Sequence, residues 1–222
     1  MLRFMTKTAF IVFAIVSIAQ LCTAEGTNGM YFIFGGDMPE INDLNTMLKS
    51  NGYSELANQL ISYGFGFHVT AKGGFMVGME MHWLYGKEVT SNGGNLKSNL
   101  SSSYWFVNLG YSILSIGGAN IYPYAGLGSG STILTISNAE VPSFEEILDN
   151  PTGVTKLSTG GFLVNGGLCV EYSVNNLILG LRGGYIYDPY IGDWEIEEAE
   201  VSGGPDTGIN GPYVRLMLGF GG

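Results

Sequence analysis

Large apolar side chains alternate with small or polar ones in eight separate runs along most of the chain. The pattern is clear in the third run, where Val77, Met79 and Met81 alternate with Gly78 and Glu80. A period of two residues is typical of β-strands, because successive side chains point to opposite faces of the sheet. The predicted strands cover residues 29–37, 60–70, 74–86, 103–114, 120–134, 161–173, 177–188 and 211–220.

One face of nearly every predicted strand is large and apolar, whereas the other is small, polar or charged. A soluble barrel has the reverse arrangement, with apolar side chains filling the interior and polar ones facing water. The pattern instead fits lipid outside and a narrow, hydrogen-bonded lumen inside. An open sheet edge would leave backbone groups unpaired in hydrocarbon, so the sheet must close. The sequence therefore predicts an all-β fold, a closed antiparallel up-and-down transmembrane barrel of about eight strands.

Long and short connections alternate between the predicted strands. The long ones are 38–59, 87–102, 135–160 and 189–210, and the short ones are 71–73, 115–119 and 174–176. Such barrels have long extracellular loops and short periplasmic turns, which places both ends of the barrel on the periplasmic side. Two loops are predicted to carry short helices, at Pro39–Gly52 and at the capping box Ser143-Phe144-Glu145-Glu146 before Ile147 and Leu148.

The N-terminus has the pattern of a secretory signal. Arg3 and Lys7 precede an apolar run from Ala9 to Leu21, and small residues follow up to Ala24. This predicts a signal peptide over residues 1–24 and an outer-membrane β-barrel domain over residues 25–222. The alternative is a lipoprotein acylated at Cys22, which the bulky Leu21 disfavours.

Composition narrows the possible chemistry. Removal of the signal leaves Cys169 as the one remaining cysteine, which excludes a disulfide framework and a multi-cysteine metal site. The formal net charge of −10 makes nucleic acid an improbable partner, because its phosphates would be repelled. All but Glu25, Glu80 and Glu171 of the 19 acidic residues fall in the long connections or at their edges. These acidic loops suggest bridging by divalent cations to lipopolysaccharide, although no EF-hand spacing is present and no dedicated metal site is predicted.

Several ionisable side chains are predicted to point into the lumen. They form a predicted polar cluster of Glu80, His82, His68, Glu171, Arg182 and Arg215. A turn at Asn175-Asn176 would set Arg182 opposite Cys169 and diagonal to Glu171, with Arg215 as a second cation of the same cluster. Buried charges must pair, and an eight-stranded barrel is just wide enough for its side chains to fill. The cluster is therefore interpreted as a structural plug, in preference to a conducting path.

Tyrosine and tryptophan residues gather near the loop ends of the predicted strands. Their amphipathic rings favour the headgroup level of a bilayer, which predicts an outer aromatic girdle. Its predicted members are Tyr63, Trp83, Tyr85, Tyr104, Trp105, Tyr185, Tyr187 and Tyr213.

Two Gly-rich segments carry a resemblance to a known family. They are Tyr124-Ala125-Gly126-Leu127-Gly128 and the closing run from Gly211 to Phe220. With the strand and loop pattern, they make the chain similar to the small eight-stranded outer-membrane barrels typified by the OmpA transmembrane domain, OmpX and the opacity proteins. That family commonly ends on an aromatic residue read by the assembly machinery, whereas here Gly221 and Gly222 follow Phe220.

Two other classes of function are alternatives to a non-enzymatic outer-membrane barrel. A lipid A-modifying enzyme would use His68, His82, Glu80 and Ser62, but these point inward on the predicted strands, and no Gly-x-Ser-x-Gly elbow is present. A soluble, lipocalin-like barrel that binds an apolar ligand would need a polar outer face, which the pattern lacks. The sequence thus favours a protein without catalytic residues or cofactor, in the outer membrane of a diderm bacterium. Its expected role is membrane integrity or surface interaction, with outer-membrane lipid, lipopolysaccharide and an extracellular partner of the loops as expected partners.

Overall fold

The computed structural model describes residues 27–91, 93–139, 143, 145, 148, 153–197 and 199–221. The predicted signal peptide lies outside these residues, as does most of the predicted capping box, and both stay predictions. Within the described residues there are twelve strands and one helix. They are β1 (Thr27–Asp37), α1 (Asn42–Ser50), β2 (Leu60–Thr70), β3 (Phe75–Tyr85), β4 (Val89–Thr90), β5 (Leu96–Tyr111), β6 (Leu114–Ile116), β7 (Ala119–Asn138), β8 (Val154–Val174), β9 (Leu177–Tyr187), β10 (Trp194–Ile196), β11 (Ala199–Val201) and β12 (Gly211–Gly221).

Eight of the strands, β1, β2, β3, β5, β7, β8, β9 and β12, form a closed antiparallel barrel. Each pairs with the next of these strands along the chain, and β12 returns to pair with β1. At the closing seam, Phe34 lies opposite Leu216 and Gly35 lies opposite Arg215. The predicted fold, a closed up-and-down barrel of eight strands, is confirmed.

The two faces of the barrel differ as the alternation predicts. Large apolar side chains cover the outside, where Phe32 is 62% exposed and Leu216 is 63% exposed. The inside holds the charged and polar residues, but also many large side chains such as Phe106 and Leu163. The lumen is therefore less polar than predicted, because a barrel of this width must be packed with side chains to close-packed density.

Three strands extend beyond the barrel at its loop end. β1, β2, β3, β9 and β12 each have 11 residues, whereas β5, β7 and β8 have 16, 20 and 21. Eleven residues at ~3.4 Å each and ~40° tilt span roughly 28 Å, close to the apolar band of a membrane barrel. The longer strands continue as a sheet that β4, β10 and β11 join. The predicted connections 87–102, 135–160 and 189–210 are thus partly strands. β7 and β8 stay paired beyond Leu134 and Leu157, β4 pairs with β5, and β10 pairs with β8 and β11.

The helix α1 covers the inner face of this extended sheet. Its buried Leu44 and Leu48 belong to an apolar cluster with Leu100, Leu134 and Trp194. The predicted helix in the first loop is confirmed. It ends where the backbone amide of Gly52, a residue with φ of 82°, donates to the carbonyl of Lys49. No helix within the described part of the chain is long and apolar enough to cross a membrane. We call α1 with the extended sheet the loop-end cap.

Candidate functional site

The middle of the lumen is occupied by a buried ion pair. Arg182 on β9 pairs with Glu80 on β3, and neither side chain is more than 2% exposed. The hydroxyl of Tyr31 donates to Glu80 Oε1 at 3.0 Å, while Arg182 Nη2 donates to the hydroxyls of Tyr31 at 3.3 Å and Tyr122 at 3.2 Å. The guanidinium also lies 5.0 Å from the centre of the Tyr124 ring. The charge of Arg182 is thus matched by Glu80, and its Nη2 is held by two tyrosine hydroxyls.

The two histidines and Glu171 join the same network. His82 Nε2 lies 3.1 Å from Glu80 Oε2, and His68 Nε2 lies 3.9 Å from Glu171 Oε2. The hydroxyl of Tyr122, which already accepts from Arg182, donates to Glu171 Oε2 at 3.1 Å. We call Glu80, His82, His68, Glu171 and Arg182, with Tyr31 and Tyr122, the central cluster. The structure therefore brings together these five predicted lumen residues, and Arg182 lies opposite Cys169 as expected.

Arg215 lies in a separate cluster at the closing seam. Its Nε is 3.2 Å from Asp37 Oδ1, and its Nη2 is 2.6 Å from Asp37 Oδ2. The hydroxyl of Tyr104 donates to Asp37 Oδ2 at 2.6 Å and also contacts Arg215. The expectation that Arg215 joins Glu171 is wrong, because the nearer carboxylate is Asp37 on the neighbouring strand. We call Arg215, Asp37 and Tyr104 the seam cluster.

Asp37 is the lumen residue that sequence reasoning missed. It was assigned to the edge of the first loop, yet its side chain is buried in the barrel. The available signal was its spacing, because Asp37 has the same parity as the inward-facing Ile33 and Gly35 on β1. A residue at the end of a strand keeps the alternation of that strand, whatever its chemistry.

A neutral hydrogen-bonded layer contacts both clusters, through the Tyr124 ring at Arg182 and the Tyr213 ring at Arg215. The hydroxyls of Tyr124 and Tyr213 are 2.5 Å apart, and Tyr213 donates to Asn165 Oδ1 at 2.6 Å. Asn165 Nδ2 donates in turn to Asn108 Oδ1 at 3.3 Å. The guanidinium of Arg215 lies 3.7 Å from the centre of the Tyr213 ring, which connects this layer to the seam cluster. Side chains from β5, β7, β8 and β12 thus cross the barrel and fill its width.

No family model matches the sequence, and no curated protein sequence matches it. Solved structures do match. A major outer membrane protein from Thermus thermophilus aligns with a TM-score of 0.57 at 11% identity, covering 89% of this chain and 98% of that one. Ail, the attachment invasion locus protein of Yersinia pestis, aligns with a TM-score of 0.50 at 10% identity, covering 89% and 99%. A second structure of Ail, with the heparin analogue sucrose octasulfate, gives 0.48 at 10% identity, again covering 89% and 99%.

The chain has the fold of the small outer-membrane β-barrels. This is the fold that the sequence resemblance implied. At 10% and 11% identity, the similarity concerns the path of the backbone and not the side chains of the seam and central clusters.

The predicted aromatic girdle divides into two groups. Tyr63, Tyr85, Tyr185 and Tyr187 are exposed on the outer face, Trp83 and Trp105 are half-buried there, and Tyr63 stacks on both Trp83 and Tyr85. Tyr104 and Tyr213 instead point inward and are only 3% and 2% exposed. Their assignment to the girdle is wrong, because neighbours in a strand face opposite sides. Trp105 takes the outer face next to Tyr104, and Tyr213 shares the inner face with Arg215.

The residues considered for catalysis are not joined to one another by hydrogen bonds in the described part of the barrel, except His82 and Glu80. Ser62 Oγ and His68 Nδ1 are buried without a hydrogen-bond partner among the described residues, so neither belongs to a Ser–His relay there. Cys169 is fully buried and its Sγ contacts Met217 Sδ at 3.9 Å. Within the described ranges, no group of three or more His, Cys, Asp or Glu side chains is placed to hold a metal ion. What the geometry provides is a packed lumen in which each of the two arginines pairs with a carboxylate.

Proposed function

We propose that this chain is a non-enzymatic protein of the outer membrane of a diderm bacterium, contributing to membrane integrity or surface interaction through its loops. The observation that carries the proposal is the outer face of the barrel. Exposed apolar side chains such as Phe32, Ile61 and Leu216 occur on strand after strand around it. Contiguous apolar patches of this extent are costly in water and favourable in lipid.

Other features support this location. The structural neighbours are outer-membrane barrel proteins. In the proposal, residues 1–24 are the signal peptide that directs export, and residues 25–222 form the barrel domain. The apolar band contacts outer-membrane lipid and lipopolysaccharide, and the exposed Tyr63, Tyr85, Tyr185 and Tyr187 lie at the headgroup level.

The lumen is proposed to act as a structural plug. Arg182 and Arg215 each form a buried pair with a carboxylate, and the tyrosine layer that contacts both arginines fills the width of the barrel. A filled eight-stranded barrel has no aqueous channel of the porin kind. The proposed role therefore rests on the outer surface and the loop-end cap, and a nucleic-acid partner is not expected at a net charge of −10.

Reconstitution tests the proposal. The purified barrel should insert into lipid vesicles without making them permeable to small sugars in a swelling assay, whereas a porin reconstituted in parallel should permeabilise them. Intact lipid A, measured by mass spectrometry after expression in a diderm host, is the expected result for a non-enzymatic protein. Sugar permeation at the porin level, or a mass change in lipid A that requires this chain, would contradict the proposal.

A further inference from the structure

The loop-end cap contains an apolar cavity of about 260 Å³. It lies between α1, the extended parts of β7 and β8, and the β10–β11 hairpin. Its walls are formed mainly by apolar side chains, among them Leu44, Leu48, Leu134, Leu157 and Trp194. We call it the cap pocket.

The cap pocket opens to the surface. Met47 and Asn51 on one side, and Ser202 and Gly203 on the other, line the cavity and are also exposed to solvent. These residues mark its mouth. A packing defect sealed in the apolar cluster would have no such opening, so a ligand can enter from outside the barrel.

The walls favour an aromatic ligand. Tyr53 and Trp194 line the cavity, and the indole Nε1 of Trp194 donates to the carbonyl of Pro205 at 2.8 Å, which fixes the plane of the ring. Met47 adds a thioether, and both aromatic rings and thioethers interact favourably with aromatic faces. The volume exceeds the ~150 Å³ of an engineered apolar cavity that binds benzene, which leaves room for a second ring.

The described walls of the cap pocket offer an anionic ligand no counter-charge. Trp194 and Val201 line the cavity from the β10–β11 hairpin, whereas Glu195 and Glu200 lie on the opposite face of that hairpin. The described residues that line the cavity include no lysine or arginine, and the nearby Lys49 pairs with Glu55 at 3.0 Å. From the apolar walls, the aromatic side chains and this lack of a counter-charge, we propose that the cap pocket binds an uncharged aromatic molecule the size of two fused rings.

Fluorescence quenching tests the proposal directly. The chain has three tryptophans, and replacing Trp83 and Trp105 with Phe leaves Trp194 as the reporter. The probe is 1-bromonaphthalene, whose heavy atom quenches indole fluorescence on contact, titrated against this variant in lipid nanodiscs. We expect saturable quenching that naphthalene relieves and naphthalene-2-sulfonate does not. Equal competition by the sulfonate would overturn the requirement for an uncharged ligand.

Two pairs of matched substitutions locate the binding. Val201→Phe fills the cap pocket, whereas Val154→Phe makes the same change at an exposed position outside it. Met47→Glu places a charge at the mouth, whereas Met38→Glu does so at another exposed methionine. Both pocket variants should weaken binding about tenfold or more, since burying a charge or losing the space is costly, and both controls should bind as the parent does. Non-saturable quenching in the folded parent, or equal quenching in pocket and control variants, would overturn the proposal.

Discussion

Arg215 and Asp37 form a buried two-point ion pair across the seam where the last strand meets the first. The guanidinium reaches from β12 to β1 with contacts of 3.2 and 2.6 Å, and the two residues are 178 positions apart in the chain. They are diagonal neighbours, because Gly35 lies opposite Arg215 and Tyr213 lies opposite Asp37. The pair therefore links the two strands whose pairing closes the barrel.

Removing the charge of Asp37 should weaken the folded barrel. In Asp37→Asn, Arg215 stays buried without its counter-ion, which typically costs about 3–5 kcal/mol. The free energy of unfolding, measured by urea titration in detergent micelles, should fall by that order, while the exposed Asp193→Asn should leave it unchanged. Replacing both partners, as in Asp37→Leu with Arg215→Met, should restore much of the loss. A single variant as stable as the parent would show that the pair contributes little.

Gly128 is required where β7 approaches β5 inside the barrel. A Cβ at this position would collide with the carbonyl oxygen of Trp105, whereas a Cβ at the outward-facing Gly166 would meet no atom within 4 Å. Gly128→Ala should therefore lower the free energy of unfolding by about 1–3 kcal/mol, the usual cost of overpacking. Gly166→Ala should change it by much less. The same urea titration distinguishes them, and equal effects of the two substitutions would argue against the close approach.

The alternation of side chains was sufficient to predict the eight barrel strands and the face of most of their residues. A one-residue slip would place Phe32 or Leu216 inside the lumen, so the pattern determines both strand pairing and orientation. Asp37 was missed because an acidic residue at a strand end looks the same in the sequence as one in a solvated loop. Tyr104 was predicted on the outer face from the preference of tyrosine for the headgroup level, although its position in the alternation of β5 is on the inner face.

The loop-end cap could be predicted only in part from the sequence. The extended pairing of β7 with β8 beyond Ser131 depends on long-range contacts, and the sequence shows only short stretches of mixed polarity there. The helix α1 was predictable from the spacing of Leu44 and Leu48, but the surface that it covers was not. Trp194 joins that surface only because β10 pairs with β8 at Ser158, which no local pattern indicates.

A charge on the outer face should be costly if that face contacts lipid. Leu216 lies near the middle of β12 and is exposed on the outside. Arginine at the bilayer midplane of such barrels costs about 2–4 kcal/mol, so Leu216→Arg should reduce stability in lipid vesicles by that amount. Leu216→Phe should be tolerated, and so should Tyr190→Arg in an exposed loop. If Leu216→Arg instead increased stability and solubility without detergent, the outer face would be in contact with water.

Asp188 should make the barrel less stable at neutral pH. Burial raises the pKa of its carboxyl, although the amide of Tyr190 donates to Oδ1 at 3.3 Å. Below about pH 3.9, the pKa of an aspartate in the unfolded chain, the carboxyl is protonated in both the folded and the unfolded state, so its burial costs no stability. As the pH rises through that value and then through the folded pKa, ionisation penalises the folded state.

The corresponding variant is Asp188→Asn. It should be more stable than the parent at pH 7, and this gain should vanish below about pH 4. Unfolding measured across this range provides the check, with Asp206→Asn, the same change at an exposed position, as the matched control. A gain in stability at pH 4 that equals the gain at pH 7 would assign the effect to something other than ionisation.

The closed barrel of this chain is proposed to lie in the outer membrane. Fractionation of expressing cells, followed by gel migration of the membrane-bound protein with and without heating, tests it most directly. We expect the protein to be extracted only by detergent and the unheated form to migrate differently from the heated one. A soluble periplasmic protein with no heat-dependent shift would contradict it and would favour a water-soluble barrel with an apolar ligand.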